Sequence, residues 1–312
     1  MNQAQAGGQP QVPGQGRAGL EVYAKLTACM ALWGGTWVSG RMIAQVMQPF
    51  SAAFLRFLFA TAFLYLASCR AEGRWPQFPR AQWKGVLFLA VSGVLLYNYF
   101  FFSGLAHIQA GRAAMIVACV PSTVALYSAL VLRARTTALK SFGIALSLFG
   151  VAVILSDGDP QKLLRNGIGL GDVFILGCVA AWAAYTMGGG RVMRQITALS
   201  AVTWSCAVGT LLLLGPALAD GLAEATLSAG PVVWSNLAYL GVAATGLAYT
   251  WYYDGIQALG APRASIFINL VPVFATLLSA VILGESVGLA LAVGGAMVLA
   301  GVVLANRPAW RV

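Results

Sequence analysis

Charge is scarce in this sequence. Asp, Glu, Lys and Arg make up only 9% of its 312 residues, against about 25% in a soluble domain. Hydrophobic residues make up 59%. A chain this apolar lacks the polar groups to cover a surface that faces water. Several stretches run for about 20 residues with almost no charge, enough to cross a hydrocarbon core at about 1.5 Å per residue. There is one histidine, His107, and the five cysteines stand singly at 29, 69, 119, 178 and 206. None has metal-ligand spacing, which points away from a zinc site or a disulfide framework, and each thiol reads as a small buried group. No phosphate-binding glycine loop, carboxylate pair or catalytic triad is visible. That points away from ATP-driven transport by this chain and from an enzyme. No metal and no cofactor is implied.

What is present is apolar sequence in regular blocks. Residues 1–19 stand apart: "AQAGGQPQVPGQG" is rich in Gln, Gly and Pro. It has neither the basic start nor the apolar centre of a signal peptide, and it reads as a disordered tail. Beyond it, ten helices are expected near 22–44, 50–69, 83–104, 111–133, 138–156, 169–190, 199–219, 231–257, 263–284 and 287–306. Residues 307–312 form a short C-terminal tail. Ten spans put both termini on one side. Fourteen basic residues then fall on that side, among them Lys25, Arg70, Lys84, Lys140 and Arg191. Only Arg41, Arg112, Lys162 and Arg165 fall on the other, and Arg56 lies within a span. Basic residues collect on the cytoplasmic side, so both termini are expected there. The net charge of +10 thus reflects topology and contact with anionic lipid; nucleic-acid binding would need a clustered, readable polar surface.

The chain repeats itself. "GRAAMIVACVPSTVALYSALVL" begins at Gly111 and "PRASIFINLVPVFATLLSAVIL" at Pro262. An offset of 151 pairs Arg112 with Arg263, Pro121 with Pro272, Gly143 with Gly294 and Gly150 with Gly301. Offsets of 149 to 151 pair Trp33 with Trp182, Thr61 with Thr210 and Trp83 with Trp234. The units are 20–156 and 168–306, with five helices each. Five is odd, so the second unit enters the membrane from the opposite side. The expected fold is an all-α polytopic membrane protein whose ten transmembrane helices form two inverted five-helix repeats, an architecture of secondary transporters. Pro121 and Pro272 sit inside paired spans, where each removes a backbone donor and bends the helix. They are either static kinks or hinges.

Candidate ligand contacts come from rings and neutral polar groups. "YNYFFF" (97–102) and "YTWYY" (249–253) occupy matching ends of the third and eighth helices. Trp33, Tyr97, Trp182, Tyr185, Tyr249 and Tyr253 are either an interfacial belt or the wall of a central cavity, where rings stack on a flat apolar ligand. Thr36, Asn98, Ser265 and Asn269 lie at similar depth, to orient a zwitterion or to tie helices together. Arg56, Asp254 and Glu285 lie near interfaces and read as snorkelling side chains. No acidic residue falls at mid-membrane, which gives no support to an obligatory proton or sodium relay.

The segment "GDVFILGCVAAWAAYTMGGGRVMR" resembles the opening of an EamA domain, and "LTACMALWGGTWVSGRM" resembles it more loosely. "FLRFLFA" is similar to the family's second helix, and "LVPVFATLLSAVILGE" to its proline-centred helix with the LGE ending. The resemblance covers about 20–306 and points to the drug/metabolite transporter superfamily, within it to YddG-type exporters of aromatic and neutral amino acids. It implies efflux of a small molecule across a bacterial inner membrane through a central cavity between the halves. The residues carried over are Trp182, Tyr185, Pro121 and Pro272. Another metabolite or a lipophilic drug is the competing cargo, and a receptor or scaffold without transport is the competing class.

Overall fold

A computed structural model describes residues 17–73, 77–131, 133, 136–161, 167–259 and 261–306. Residues 1–16 and 307–312 of the expected tails lie outside them. The described residues are mostly helical, and no strand occurs among them. In chain order the helices are α1 (Arg17–Ala44), α2 (Pro49–Glu72), α3 (Arg80–His107), α4 (Ala110–Leu130), α5 (Ala138–Leu155), α6 (Leu170–Val192), α7 (Ala198–Ala219), the short α8 (Leu222–Ser228), α9 (231–259), α10 (261–283) and α11 (Leu289–Ala305). Among the described residues, α2 to α7 and α10 are long and apolar enough to cross a membrane. The helix α11 is apolar but shorter, at 17 residues. By this measure the expected ten spans stand at seven.

Local chemistry sets the ends. Pro49 starts α2, where its missing N–H costs nothing. Gly73 and Gly284 end α2 and α10 at φ of 64° and 66°, a left-handed cap that favours glycine. The Thr137 and Thr197 hydroxyls accept from the Lys140 and Ser200 N–H groups at the starts of α5 and α7. Bands of exposed apolar side chains remain, including Phe142, Phe149, Leu211, Val281 and Leu289. Water would not tolerate them, and lipid does. The protein is a multi-pass membrane protein.

Two helices depart from α geometry at matching places. Residues Ala90–Leu96 of α3 and Tyr239–Leu247 of α9 are π-helical. A π-turn widens the helix and frees carbonyls for other donors. Two more helices break ahead of a proline. In α4 a turn at residues 118–119 precedes Pro121, and in α10 the 3-10 segment Phe267–Asn269 precedes Pro272.

The packing joins the two halves. Helix α5 lies against α11 closely enough that a Cβ at Gly150 would come within 2.6 Å of the Gly294 carbonyl oxygen, and one at Gly143 within 2.7 Å of the Gly301 oxygen. Small residues permit that backbone approach in a membrane. Helix α2 meets α7 through hydroxyl pairs, Thr61 with Thr210 and Ser68 with Thr203, both at 3.0 Å. Helix α1 packs on α10 and α9, and α3 packs on α6.

Candidate functional site

The π-turn of α3 organises the centre of the bundle. Asn98, buried just beyond it, donates its Nδ2 hydrogens to the Val94 carbonyl at 2.9 Å and the Gly93 carbonyl at 3.3 Å. That fixes the amide so that its Oδ1 faces α2, where it accepts from Arg56 Nη1 at 2.8 Å. The guanidinium lies over the faces of Phe57 and Phe101, at 5.3 and 5.6 Å from the ring centroids. Tyr97, one residue before Asn98, stacks on Phe101 and meets Trp182 at 5.0 Å between centroids. Trp182 stacks in turn on Tyr185 at 5.0 Å and 24°. Tyr185 fits because Gly93 has no side chain; a Cβ there would fall 2.2 Å from its ring. The result is a run of rings from α3 to α6 beside a cation held by an amide.

The π-turn of α9 does the corresponding work on the other side. Its Ala244 carbonyl accepts from Trp33 Nε1 at 2.9 Å. Tyr239 donates to the Leu32 carbonyl at 2.6 Å. Trp33 meets Tyr252 at 5.3 Å, and one turn along α1 Trp37 meets Phe101 at 5.1 Å. At a rise of about 1.5 Å per residue, Arg56 is about 10 Å and Trp182 about 18 Å inside their helices. Both lie inside helices long and apolar enough to cross a membrane.

One end of the bundle carries a separate polar layer. Glu285, just past α10, accepts from the Ala110 and Gly111 N–H groups at 2.9 and 3.2 Å, capping α4. Arg41 lies 3.9 Å from the same carboxylate and donates to the Leu105 carbonyl. Arg112 forks onto Asp172 at 2.9 and 3.0 Å and reaches Asp157 at 2.5 Å, tying α4 to the start of α6 and the end of α5. Asp220 accepts from the Phe50 N–H at the start of α2, at 3.0 Å. Two open grooves, of about 660 and 750 Å³, lie at this end. Arg41, Gln45, Asn236 and Glu285 line the first; His107, Gln48, Asp220 and Glu224 line the second.

The sequence model of the EamA-like transporter family matches residues 23–156 and again residues 169–307. The chain belongs to that family. It is 26% identical over 288 residues to the uncharacterized transporter YyaM of Bacillus subtilis, covering 92% of this chain and 94% of the relative. It is also 26% identical, over 232 residues, to a probable terminal-alkyne amino-acid exporter of Streptantibioticus cattleyicolor, covering 73% of this chain and 75% of that one. One crystal structure superposes with a TM-score of 0.57 at 21% identity, over 91% of this chain and 98% of the other. That likeness concerns the fold.

In this EamA-like transporter, Tyr97, Asn98, Trp182 and Tyr185 come together around the first π-turn. Trp33 joins the second, and Thr36 donates to the Trp33 carbonyl at 2.6 Å. Asn269 is half-buried in the 3-10 segment of α10, and Ser265 is exposed nearby. The side chains of Tyr249 and Tyr253 lie outside the described residues. Sequence reasoning gave Arg56 and Glu285 no role beyond snorkelling. Their hydrogen bonds instead reach inward, to Asn98 and to the start of α4. A cation seven residues into an apolar span, in "FLRFLFA", was the available signal for Arg56. Nothing local in the sequence marks the partners of Glu285.

Proposed function

We propose that the protein is a secondary transporter that exports small amphipathic metabolites, foremost aromatic and neutral amino acids. Two inverted five-helix repeats alternate access to the ring cluster between them, in a bacterial inner membrane with both termini cytoplasmic. The observation that carries this reading is the Tyr97–Trp182–Tyr185 ring cluster beside Arg56 and Asn98, inside helices long enough to span a membrane. Rings bind a flat apolar side chain, and the polar groups orient the rest.

The repeat supports the mechanism. The two π-turns fall at matching offsets, and a carbonyl of each accepts from a side chain at the centre, Val94 from Asn98 and Ala244 from Trp33. Thr61 and Thr210 are equivalent positions that bond to each other. Gly150 opposes Gly294 and Gly143 opposes Gly301, a contact that maps onto itself when the halves exchange. Two such packings of one motif are what alternating access requires. The asymmetry of basic residues supports the orientation, and the amino-acid exporter among the relatives supports the cargo.

Counterflow of radiolabelled phenylalanine and tryptophan in proteoliposomes tests the reading. Uptake by the wild type against a preloaded gradient is expected. Trp182→Ala is expected to weaken apparent affinity a few-fold to about tenfold, the value of one stacking contact beyond its area burial. Wild-type rate and affinity in the variant would make Trp182 packing and move the site elsewhere.

A further inference from the structure

We propose that the groove of about 660 Å³ at the polar end of the bundle is a vestibule for a zwitterion, which sets its carboxylate on Arg41 and its ammonium on Glu285. This rests on the transporter reading above and specifies the cargo at a second place on its path. Position is the first reason. Trp33, Trp37 and Arg41 follow at intervals of four along α1 and share one face. Trp37 meets Phe101, and one turn further Arg41 donates to the Leu105 carbonyl. Phe101 leads back through Tyr97 to Trp182. The cation thus stands on the next rung after the rings. The walls come from both repeat units, Arg41 and Gln109 from the first, Asn236 and Glu285 from the second. The volume falls in the range of small-molecule sites.

Charge is the second reason. Arg41 Nε stands 3.9 Å from Glu285 Oε1, beyond hydrogen-bond reach. The Arg112–Asp172 pair, by contrast, is bonded at 2.9 and 3.0 Å. A zwitterion can enter a pair set this far apart and give each charge a partner of opposite sign, so that none is stranded. A carboxylate without an ammonium would meet repulsion from Glu285, and an ammonium without a carboxylate would meet it from Arg41. Both side chains are placed before a ligand arrives, Glu285 by the Ala110 and Gly111 N–H groups and Arg41 by the Leu105 carbonyl. The apolar wall is the third reason. Ile43, Val233 and Leu283 line the same groove and offer cover to an apolar side chain.

Val232 lines the groove and is exposed. In a background without native cysteines, Val232→Cys would be labelled with an impermeant maleimide in phosphatidylglycerol vesicles, which offer no zwitterionic headgroup. Phenylalanine is expected to slow the labelling. The anion 3-phenylpropanoate and the cation phenethylamine are expected to need about tenfold higher concentration or more. Arg41→Gln is expected to erase the advantage of phenylalanine over phenethylamine, and Glu285→Gln its advantage over 3-phenylpropanoate. Equal protection by the three ligands in the wild type would overturn the vestibule, whether or not the variants fold. So would a parallel loss for all three ligands in both variants, which would make the pair structural. So would a half-protecting concentration that rises in Trp182→Ala in step with the value for counterflow, because protection would then report the ring cluster. Counterflow of phenylalanine without protection overturns the vestibule and leaves the transporter reading standing. Protection without counterflow does the reverse.

Discussion

Asp172→Ala is expected to destabilise the protein by about 3 kcal/mol, the lower end of the cost of breaking a buried ion pair. The Arg112–Asp172 fork is nearly sealed from solvent, with side-chain exposures of 17% and 8%. Removing the aspartate leaves a guanidinium with most of its desolvation cost and less of its compensation. Asp157, at 59% exposure, remains as a weaker counter-charge, and for that reason the lower end applies. Asp157→Ala alone should cost no more than about 1 kcal/mol, as exposed pairs do. The double variant Arg112→Leu/Asp172→Leu should recover most of the loss, because no charge is then stranded. Denaturant unfolding in mild detergent measures all three. Equal losses for Asp172→Ala and Asp157→Ala would show that the fork does not hold α4 to α6.

Glu285→Ala is expected to loosen the same end of the bundle without unfolding it. The carboxylate joins the end of α10 to the start of α4 and lies near Arg41 on α1. A hydrogen bond to a charged acceptor contributes about 1.5–3 kcal/mol, so even one net bond shifts an open–closed equilibrium about tenfold or more. Ala113, one turn into α4, is fully buried and reports the change. In a background without native cysteines, Ala113→Cys should react with an impermeant maleimide about tenfold faster when Glu285 is also replaced. An unchanged rate would confine Glu285 to capping a helix that stays put. By the repeat, the position matching Glu285 is Ala134. Of the two matching positions, only that of the second unit carries a carboxylate.

The sequence exposed some of this architecture more readily than the rest. Helix positions follow from apolar block length, and Pro49, Gly73 and Gly284 mark ends for simple conformational reasons. The pairing of Pro121 with Pro272 led to the right places for backbone breaks, although each break lies a few residues before its proline. The π-turns were not legible. Hydrophobic pattern reports which face is apolar, and a single widened turn hardly alters it. Asn98 was recognised as polar and deep, but its partners Gly93 and Val94 are backbone atoms that any residue would supply. Trp33 and Trp182 were read as equivalent from their register. They differ because the Trp33 indole N–H is bonded to the Ala244 carbonyl, whereas Trp182 stacks on Tyr185 and meets Tyr97 at a tilt of 49°. Glu285 was misjudged as snorkelling because its partners are N–H groups 174 and 175 residues away. Contacts that distant are settled by packing, and one sequence records them only through the repeat.

Alternating access by two exchanging halves is tested most directly at Ala113 and Ala264. They are equivalent at the 151-residue offset, and both are fully buried. The start of α4 lies against the end of α10, as Gly111 beside Ser279 shows, so the two alanines report opposite ends. Single cysteines at 113 and 264 would be labelled in the wild type, in Pro121→Ala and in Pro272→Ala. Each substitution restores a helix donor and stiffens its own span. Because the halves play each other's part in the opposite state, the ratio of labelling at 113 to that at 264 is expected to move one way in Pro121→Ala and the other way in Pro272→Ala, with slower counterflow in both. Shifts in the same direction, or no shift in either variant, would contradict a transporter that works by exchanging its two halves.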